Sequence, residues 1–333
     1  MKHFKSIYNF KSALTFCLFI LIQLVVISSA FTQTSNKKIS PWYIYKDGNS
    51  FADIEPLKDI IRSISVFGNP PKKFIDECHK NNIEVYHAVS GNEKTIDSST
   101  KIKTIANEYV HDCNFNGYDG IDLDFEHLNP DFQNTYSEFL NEASIELHSA
   151  GKKLSQCVGF YPTLYQDEVP KIFYNPKVIA KTCDLVRVMC YDMHYAPYRS
   201  EGIGPTSNYP WTKEAMAYWT KYVPKDKLIM ALPAYSNDYT MTLNGTGKQI
   251  YASVPDSVNG TLQSPIWEWY DKINIYLYND FKGNTHLFYA SDQKSTKALL
   301  EIGDELKIYN IGFWHLSSVD LKTWSIVREW VNK

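Results

Sequence analysis

Short β-rich runs alternate with segments of helical spacing along most of this 333-residue chain. The predicted strands cover residues 42–45, 63–68, 84–89, 118–126, 154–160, 185–192, 228–233 and 308–314. Strands separated by helices pair in parallel through right-handed crossovers. At this chain length, eight such units close into a ring of strands surrounded by helices. The alternation therefore predicts an α/β fold, a (β/α)8 TIM barrel.

One segment interrupts the alternation after the seventh predicted strand. Residues 237–288 are polar, rich in Gly, Asn and Tyr, and show no helical period. A segment of this length is too long for a simple connection, so we expect a small insertion there. Loops after barrel strands lie at the C-terminal face, where barrel active sites are built. We therefore expect residues 31–333 to form one barrel domain with an insertion on its functional face.

Residues 1–30 have the layout of a cleavable secretory signal. Lysines precede an apolar run over residues 13–27, and small residues follow at positions 28–30. The alternative is an uncleaved anchor, but the run is short for a membrane span of about 20 residues. We expect cleavage after Ala30, no membrane contact afterwards, and a secreted or extracytoplasmic location, whether extracellular, periplasmic or lysosomal.

Charge and cysteine content exclude several classes of protein. The net charge is −3 and no basic stripe stands out, which argues against a nucleic-acid partner. Aromatic residues make up 15% of the chain and include 24 Tyr, a composition that suits carbohydrate binding. The five cysteines of the mature chain leave room for one or two disulfides, yet Cys157 and Cys190 fall in predicted core strands, where buried free thiols are expected. We expect a monomer.

Three carboxylates follow one another along the fourth predicted strand. Asp122, Asp124 and Glu126 alternate with apolar residues, so all three face the same side of the strand. Such carboxylates repel each other and disfavour simultaneous ionisation, which is useful where chemistry needs a protonated carboxyl. Asp119 has the opposite parity, so we expect a structural role for it, and Gly120 permits close backbone approach. The motif predicts an active site; taken alone, it also fits a divalent-metal site.

Other strand ends carry matching signals. Met189, Tyr191 and Asp192 end the sixth strand, Tyr235 follows the seventh, and Trp314 ends the eighth. Together with the acidic motif they resemble glycoside hydrolase family 18, the family of chitinases, di-N-acetylchitobiases and endo-β-N-acetylglucosaminidases. The resemblance covers nearly the whole mature chain. It implies no metal and no cofactor.

The resemblance implies catalysis in which the substrate supplies the nucleophile. Glu126 would be the general acid that protonates the glycosidic oxygen. The N-acetyl group of the sugar would attack its own anomeric carbon, giving an oxazolinium intermediate and retention, without the second carboxylate of the usual scheme. Asp124 would hydrogen-bond the acetamido N–H, and Asp122 would share a proton with Asp124.

The remaining motif residues would bind the sugar. By the same resemblance, Tyr191 would hydrogen-bond the acetamido oxygen and Asp192 would contact the sugar and the intermediate. Trp314 would form the floor of the cleavage subsite, and Met189 and Tyr235 would line the pocket. Taken alone, a tryptophan at such a position is more often a core residue.

Three functions remain open at this stage. The first is hydrolysis of β-1,4 bonds in N-acetylglucosamine oligosaccharides or polysaccharides such as chitin, and the second is cleavage of the N-glycan chitobiose core. The third is a non-catalytic chitinase-like lectin, although such members typically lose an acid that this chain retains. Val89-Ser90-Gly91-Asn92 stands where the family often has Ser-x-Gly-Gly, so we expect the neighbouring subsite to differ in shape while the catalysis is kept. The insertion lacks the signals of a larger α+β lobe, which predicts a shallow cleft.

Overall fold

The computed structural model describes residues 36–159 and 172–333. The predicted signal peptide lies outside the described residues. The strands in chain order are β1 (Lys38–Ile39), β2 (Trp42–Ile44), β3 (Ser63–Phe67), β4 (Glu84–Val89), β5 (Gly120–Leu123), β6 (Lys153–Val158), β7 (Leu185–Met189), β8 (Leu228–Pro233), β9 (Ser236–Thr240), β10 (Gly247–Ile250), β11 (Ile266–Glu268), β12 (Ile273–Asn279), β13 (Thr285–Ala290) and β14 (Asn310–Trp314).

Nine of these strands form the barrel. Their order is β1-β14-β8-β7-β6-β5-β4-β3-β2, and neighbouring strands run parallel. Each predicted strand coincides with an observed one, with ends that differ by a few residues. The α/β TIM-like barrel is therefore confirmed.

The ring closes at a break in its first strand. β1 pairs with β14, and Ile39 also forms a bridge to Ile61, whereas β2 pairs with β3. Between β1 and β2, the Ser40 N–H donates to Ile311 on one side and the Pro41 carbonyl accepts from Ser65 on the other. Proline has no N–H to donate, which interrupts the ladder at this point. The sequence predicted only the second half of this strand, at residues 42–45.

Helices cover the outside of the barrel. They are α1 (Lys72–Lys80), α2 (Ser99–Asn116), α3 (Gln133–Ser149), α4 (Pro176–Thr182), α5 (Tyr209–Trp219), α6 (Gln293–Leu306) and α7 (Leu321–Val331). Side-chain caps at Ser98, Asn175, Asn208, Asp292 and Asp320 satisfy backbone N–H groups that the first turns leave free. The first connection differs from the predicted alternation, because only two short 3-10 turns join β2 to β3.

Residues 236–290 form a second, antiparallel sheet on the loop after β8. Its strand order is β10-β9-β13-β12-β11. This confirms the predicted small insertion. The sequence did not reveal its strands, because their pairing depends on segments that are distant in the chain.

The two positions singled out beside the acidic motif have the expected structural roles. The Asp119 carboxylate accepts the Val85 N–H at 2.7 Å and lies 2.9 Å from His79 Nε2. A Cβ atom on Gly120 would lie 2.2 Å from the Lys153 carbonyl oxygen, so only glycine allows the strands to approach this closely. Both predictions are confirmed.

Two further findings concern the cysteines and the helices. The five cysteines within residues 36–159 and 172–333 are buried free thiols, namely Cys78, Cys113, Cys157, Cys183 and Cys190. No helix in that part of the chain is long and apolar enough to cross a membrane.

Candidate active site

The acidic motif begins inside the barrel and continues into its mouth. β5 ends at Leu123, and the Asp124 N–H still donates to the Val89 carbonyl at 2.8 Å. Phe125 is buried on the outer side of the strand, where its ring fills the space that a side chain at position 91 would need. A Cβ on Gly91 would lie 2.2 Å from that ring. This packing fixes the strand end from which Glu126 projects.

Asp122 lies fully buried in the barrel interior. Its carboxylate accepts hydrogen bonds from Trp42 Nε1 at 3.1 Å, Ser65 Oγ at 2.5 Å and Cys157 Sγ at 3.5 Å. The guanidinium of Arg187 lies 3.2 Å away. Asp122 thus has four donors from four different strands. The predicted sharing of a proton with Asp124 remains a prediction.

Arg187 is the main site residue that sequence reasoning missed. It lies on β7, has no exposed surface, and donates from Nη1 to the Ser40 carbonyl at 2.5 Å. Its guanidinium also stacks over the Trp42 ring, 5.2 Å from the centroid. Arginine is almost never fully buried unless it is paired. A single arginine inside the apolar run 185–190 was the available signal.

Asp124 and Glu126 are both disposed to hold a proton. Burial, followed by the charges of Glu126 and Asp122, raises the pKa of Asp124 to about 7. Burial also raises the pKa of Glu126, with a smaller contribution from Asp192, while His127 opposes the rise. Glu126 nevertheless keeps a substantial part of its surface exposed. An accessible carboxyl with a raised pKa is suited to act as a general acid.

Asp192 is held in place by three donors. Its Oδ1 atom accepts from Tyr235 Oη at 2.6 Å, Gln249 Nε2 at 2.8 Å and Thr206 Oγ1 at 3.4 Å. The backbone of Asp192 is left-handed, with φ of 59°, and its N–H donates to Thr206 at 3.0 Å. Burial raises the pKa of Asp192. These contacts orient the carboxylate within the mouth.

An aromatic wall stands beside the carboxylates. Trp314 meets Trp42 and Phe67 edge-on, with ring centroids 5.8 and 5.5 Å apart. Tyr191 meets Trp42 and Tyr235 edge-on, each at 6.2 Å. Trp314 keeps part of its surface exposed, as a stacking platform requires.

The insertion contributes directly to the site. Gln249 of β10 reaches Asp192, as described above. Tyr251, which is half exposed, contacts the rings of Tyr235 and His315, both at 5.6 Å between centroids. The sequence predicted an insertion beside the site but not these residues, because nothing in the pattern fixes which of its side chains face the barrel.

All eight predicted site residues meet at the C-terminal end of the barrel or directly beneath it. They are Asp122, Asp124, Glu126, Met189, Tyr191, Asp192, Tyr235 and Trp314. Met189 packs with Trp42, Tyr191 and Trp314. Over residues 36–159 and 172–333, no group of three or more His, Cys, Asp or Glu side chains is arranged to hold a metal ion. The roles of these residues remain predictions.

Comparison with known proteins gives a consistent picture. The profile of the family described as Glycosyl hydrolases family 18 matches residues 15–318. The cortical fragment-lytic enzyme of Bacillus subtilis is 22% identical over 247 residues, which are 71% of this chain but only 55% of that protein. The uncharacterized glycosylase YvbX of the same species is 21% identical over 79% of this chain and 80% of its own.

A solved chitinase structure from Chromobacterium violaceum has the same fold. It superposes with a TM-score of 0.72 at 17% identity and covers 89% of this chain and 99% of its own.

Proposed function

The chain belongs to the glycosyl hydrolases of family 18 and is a glycoside hydrolase, and on this basis we propose that it cleaves β-1,4 bonds of glycans containing N-acetylglucosamine. The proposed reaction retains the anomeric configuration, and the substrate's acetamido group is the nucleophile. The observation that carries the proposal is the pairing of an accessible acid, Glu126, with a half-buried neighbour, Asp124, whose pKa is raised to about 7.

The role of Glu126 follows from its surroundings. Burial raises its pKa, so a larger fraction of the side chain is protonated near neutral pH. Its position at the end of the acidic motif faces the opening in which a glycosidic oxygen would lie. Glu126 therefore protonates the leaving group, and Asp124 positions the acetamido N–H from one step deeper.

The other carboxylates described in the mouth are poorly suited to attack the sugar. Asp122 is fully buried and is engaged by Arg187 and three further donors. Asp192 is held by Tyr235 and Gln249. Both arrangements support a mechanism in which the nucleophile comes from the substrate. Tyr191 and Trp314 then hold the sugar with its acetamido group toward the anomeric carbon.

The acetamido requirement can be tested with matched substrates. An N-acetylated chito-oligomer should be hydrolysed, and the first product detected by proton NMR should be the β-anomer. The fully deacetylated oligomer of the same length lacks the nucleophile and should resist hydrolysis. Cleavage of both oligomers at similar rates, or an α-anomer as the first product, would contradict the mechanism.

The assignment of Glu126 predicts a separate result. Glu126→Gln removes the acid but keeps the shape and hydrogen-bonding ability of the side chain. We expect turnover of a fluorogenic chitobioside to fall by about 10³-fold, while oligosaccharide binding measured by calorimetry changes little. Wild-type turnover in this variant would rule out Glu126 as the acid.

A second candidate substrate is bacterial peptidoglycan. It is favoured by the similarity to a cortical fragment-lytic enzyme, of which this chain spans about half the length. The glycan of N-glycoproteins is a third. Product analysis on chitin oligomers, peptidoglycan strands and a high-mannose glycopeptide, with Glu126→Gln as the blank for each, ranks the three.

We further propose that the enzyme acts outside the cytoplasm. The support is the signal-like layout of residues 1–30, and expression of the full chain followed by N-terminal sequencing of the exported protein tests it. A mature N-terminus directly after Ala30 is the expected result; retention of the full-length chain inside the cell would contradict it.

A further inference from the structure

An ion pair occupies the barrel interior directly beneath the acidic motif. Arg187 and Asp122 have no exposed surface, and their nearest charged atoms are 3.2 Å apart. Arg187 Nη1 is anchored by the Ser40 carbonyl, and its planar group lies over the Trp42 ring. Trp42 in turn donates to Asp122. The guanidinium therefore has one fixed position relative to the carboxylate.

Stability alone does not explain this arrangement. Removing two charges from water is costly, and well-packed apolar replacements of buried ion pairs are often as stable or more stable. Arg187 Nη2 is in addition buried without a hydrogen-bond partner among the residues that the structure describes. An unmade hydrogen bond of a charged group costs further free energy. A role in the reaction would explain why the protein contains this buried ion pair.

We propose that Arg187 is a positioning residue for the hydrolysis: its guanidinium, fixed 3.2 Å from Asp122, compensates the charge of that carboxylate and so leaves the proton of the carboxylate pair on Asp124. The proposal rests on the proposed function for its kinetic consequence, since Asp124 is the group that meets the acetamido N–H. The observation behind the proposal is the bond between Arg187 and Asp122. No proton is transferred to Arg187.

Three titratable groups next to the ion pair and Asp124 are neutral and so add no charge to this balance. Cys157 of β6 faces both aspartates, Tyr191 faces Asp124, and Tyr86 of β4 faces Arg187. Burial raises the pKa of all three neutral groups well above their ordinary values, so they carry no charge near neutral pH. The other groups in contact with Asp122, Trp42 and Ser65, do not titrate in this range.

The sign of the effect follows from the charge next to Asp124. With Arg187 present, its positive charge offsets part of the effect that the charge of Asp122 has on Asp124. Arg187→Met leaves Asp122 uncompensated, so the pair holds its last proton to higher pH. The double variant Asp122→Asn/Arg187→Met removes both charges, including the one that raises the pKa of Asp124, so it should not show the shift of Arg187→Met. Arg187→Lys keeps the cation and should behave like the wild type.

The experiment measures the pH at which the last proton leaves in these four proteins. One readout is the alkaline limb of kcat/KM for a fluorogenic chitobioside. The other is the carboxyl carbon signal of ¹³C-labelled aspartate in the free enzyme by NMR, which needs no substrate. We expect Arg187→Met to move the alkaline limb and the NMR titration to higher pH by at least half a unit. Arg187→Lys should lie within a few tenths of a unit of the wild type, and the double variant should lie at or below the wild type.

The design separates the inference from folding and from the proposed function. The double variant has no unpaired buried charge, so it keeps the comparison available if Arg187→Met folds poorly. If the chitobioside is not cleaved, the proposed function fails while the NMR titration still decides on Arg187. Equal titration in all four proteins, or a double variant that stays shifted with Arg187→Met, would overturn the inference, because a merely structural arginine would lower activity without moving the limb.

Discussion

The charged form of Asp124 is disfavoured by its surroundings. Burial and two neighbouring carboxylates raise its pKa to about 7 in the folded protein, whereas an exposed aspartate ionises near pH 4. Between these values the folded state binds a proton that the unfolded state has released. Stability therefore falls as the pH rises through this window. The residue that the reaction needs is one that weakens the fold at neutral pH.

Asp124→Asn should lower the activity and raise the stability of the fold. Asparagine cannot ionise, so we expect the free energy of unfolding at pH 8 to rise by about 2 kcal/mol, with little gain at about pH 3, where the aspartate is mostly protonated in both states. Turnover should fall by about 100-fold. Urea unfolding at both pH values, together with turnover of the chitobioside, measures the two effects.

The control for this experiment is Asp131→Asn, at an exposed carboxyl on the following 3-10 turn. It should change neither stability nor rate. A destabilised Asp124→Asn protein at pH 8, or one with unchanged turnover, would refute the role given to Asp124.

At the scale of elements, the insertion reaches the site through β10. Gln249 donates to Asp192 across 57 positions in the sequence. Gln249→Ala should lower kcat/KM by about fivefold, since the lost bond is to a carboxylate but is partly solvent-accessible. Lys248→Ala, on the exposed side of the same strand, is the matched control. Equal rates for the two variants would place Gln249 outside the site.

Two similar hydrogen-bonded groups, here called braces, stabilise the opposite end of the barrel. Each consists of an aspartate, a backbone N–H of the neighbouring strand and a histidine at the end of a helix. Asp184 accepts the Leu154 N–H at 2.9 Å and lies 2.8 Å from His148 Nε2. The arrangement repeats that of Asp119, Val85 and His79. In both, a carboxylate at the start of one strand fixes the neighbouring strand and the end of a helix. Residues at this face of a barrel contribute to the stability of the fold rather than to catalysis.

His148→Ala should therefore destabilise the fold without affecting the reaction. We expect a loss of about 1 kcal/mol in the free energy of unfolding, measured by urea denaturation, and unchanged turnover of the native protein. His111→Ala, at an exposed position of α2, provides the comparison. A fall in turnover with unchanged stability would show that the brace serves the site instead.

For the whole molecule, the parts that the sequence predicted are those set by local periodicity. Alternation of strands and helices predicted the barrel, and the period of two in the acidic strand placed Asp122, Asp124 and Glu126 on one face. The break at Pro41 and the strands of the insertion were missed, because their pairing depends on distant segments. Arg187 was missed for a similar reason: its partners Asp122 and Ser40 are 65 and 147 positions away.

Arg187 also connects the site to the closure of the ring. Its Nη1 atom holds the carbonyl of Ser40, the residue between β1 and β2, and β1 pairs with β14 next to it. Local opening of a terminal strand costs less free energy than global unfolding. If β1 opens, Arg187 loses its anchor before the helices unfold.

Inactivation should accordingly precede denaturation. In a urea titration, we expect turnover to be lost at a lower concentration than the far-ultraviolet circular dichroism signal; coincident midpoints would show that the strand opens only with the whole fold. A chain whose first strand has not docked would hold an unaligned guanidinium beneath its carboxylates. Molecules in which the barrel is not yet closed would then be inactive. Catalytic activity would therefore indicate that the ring of strands is complete.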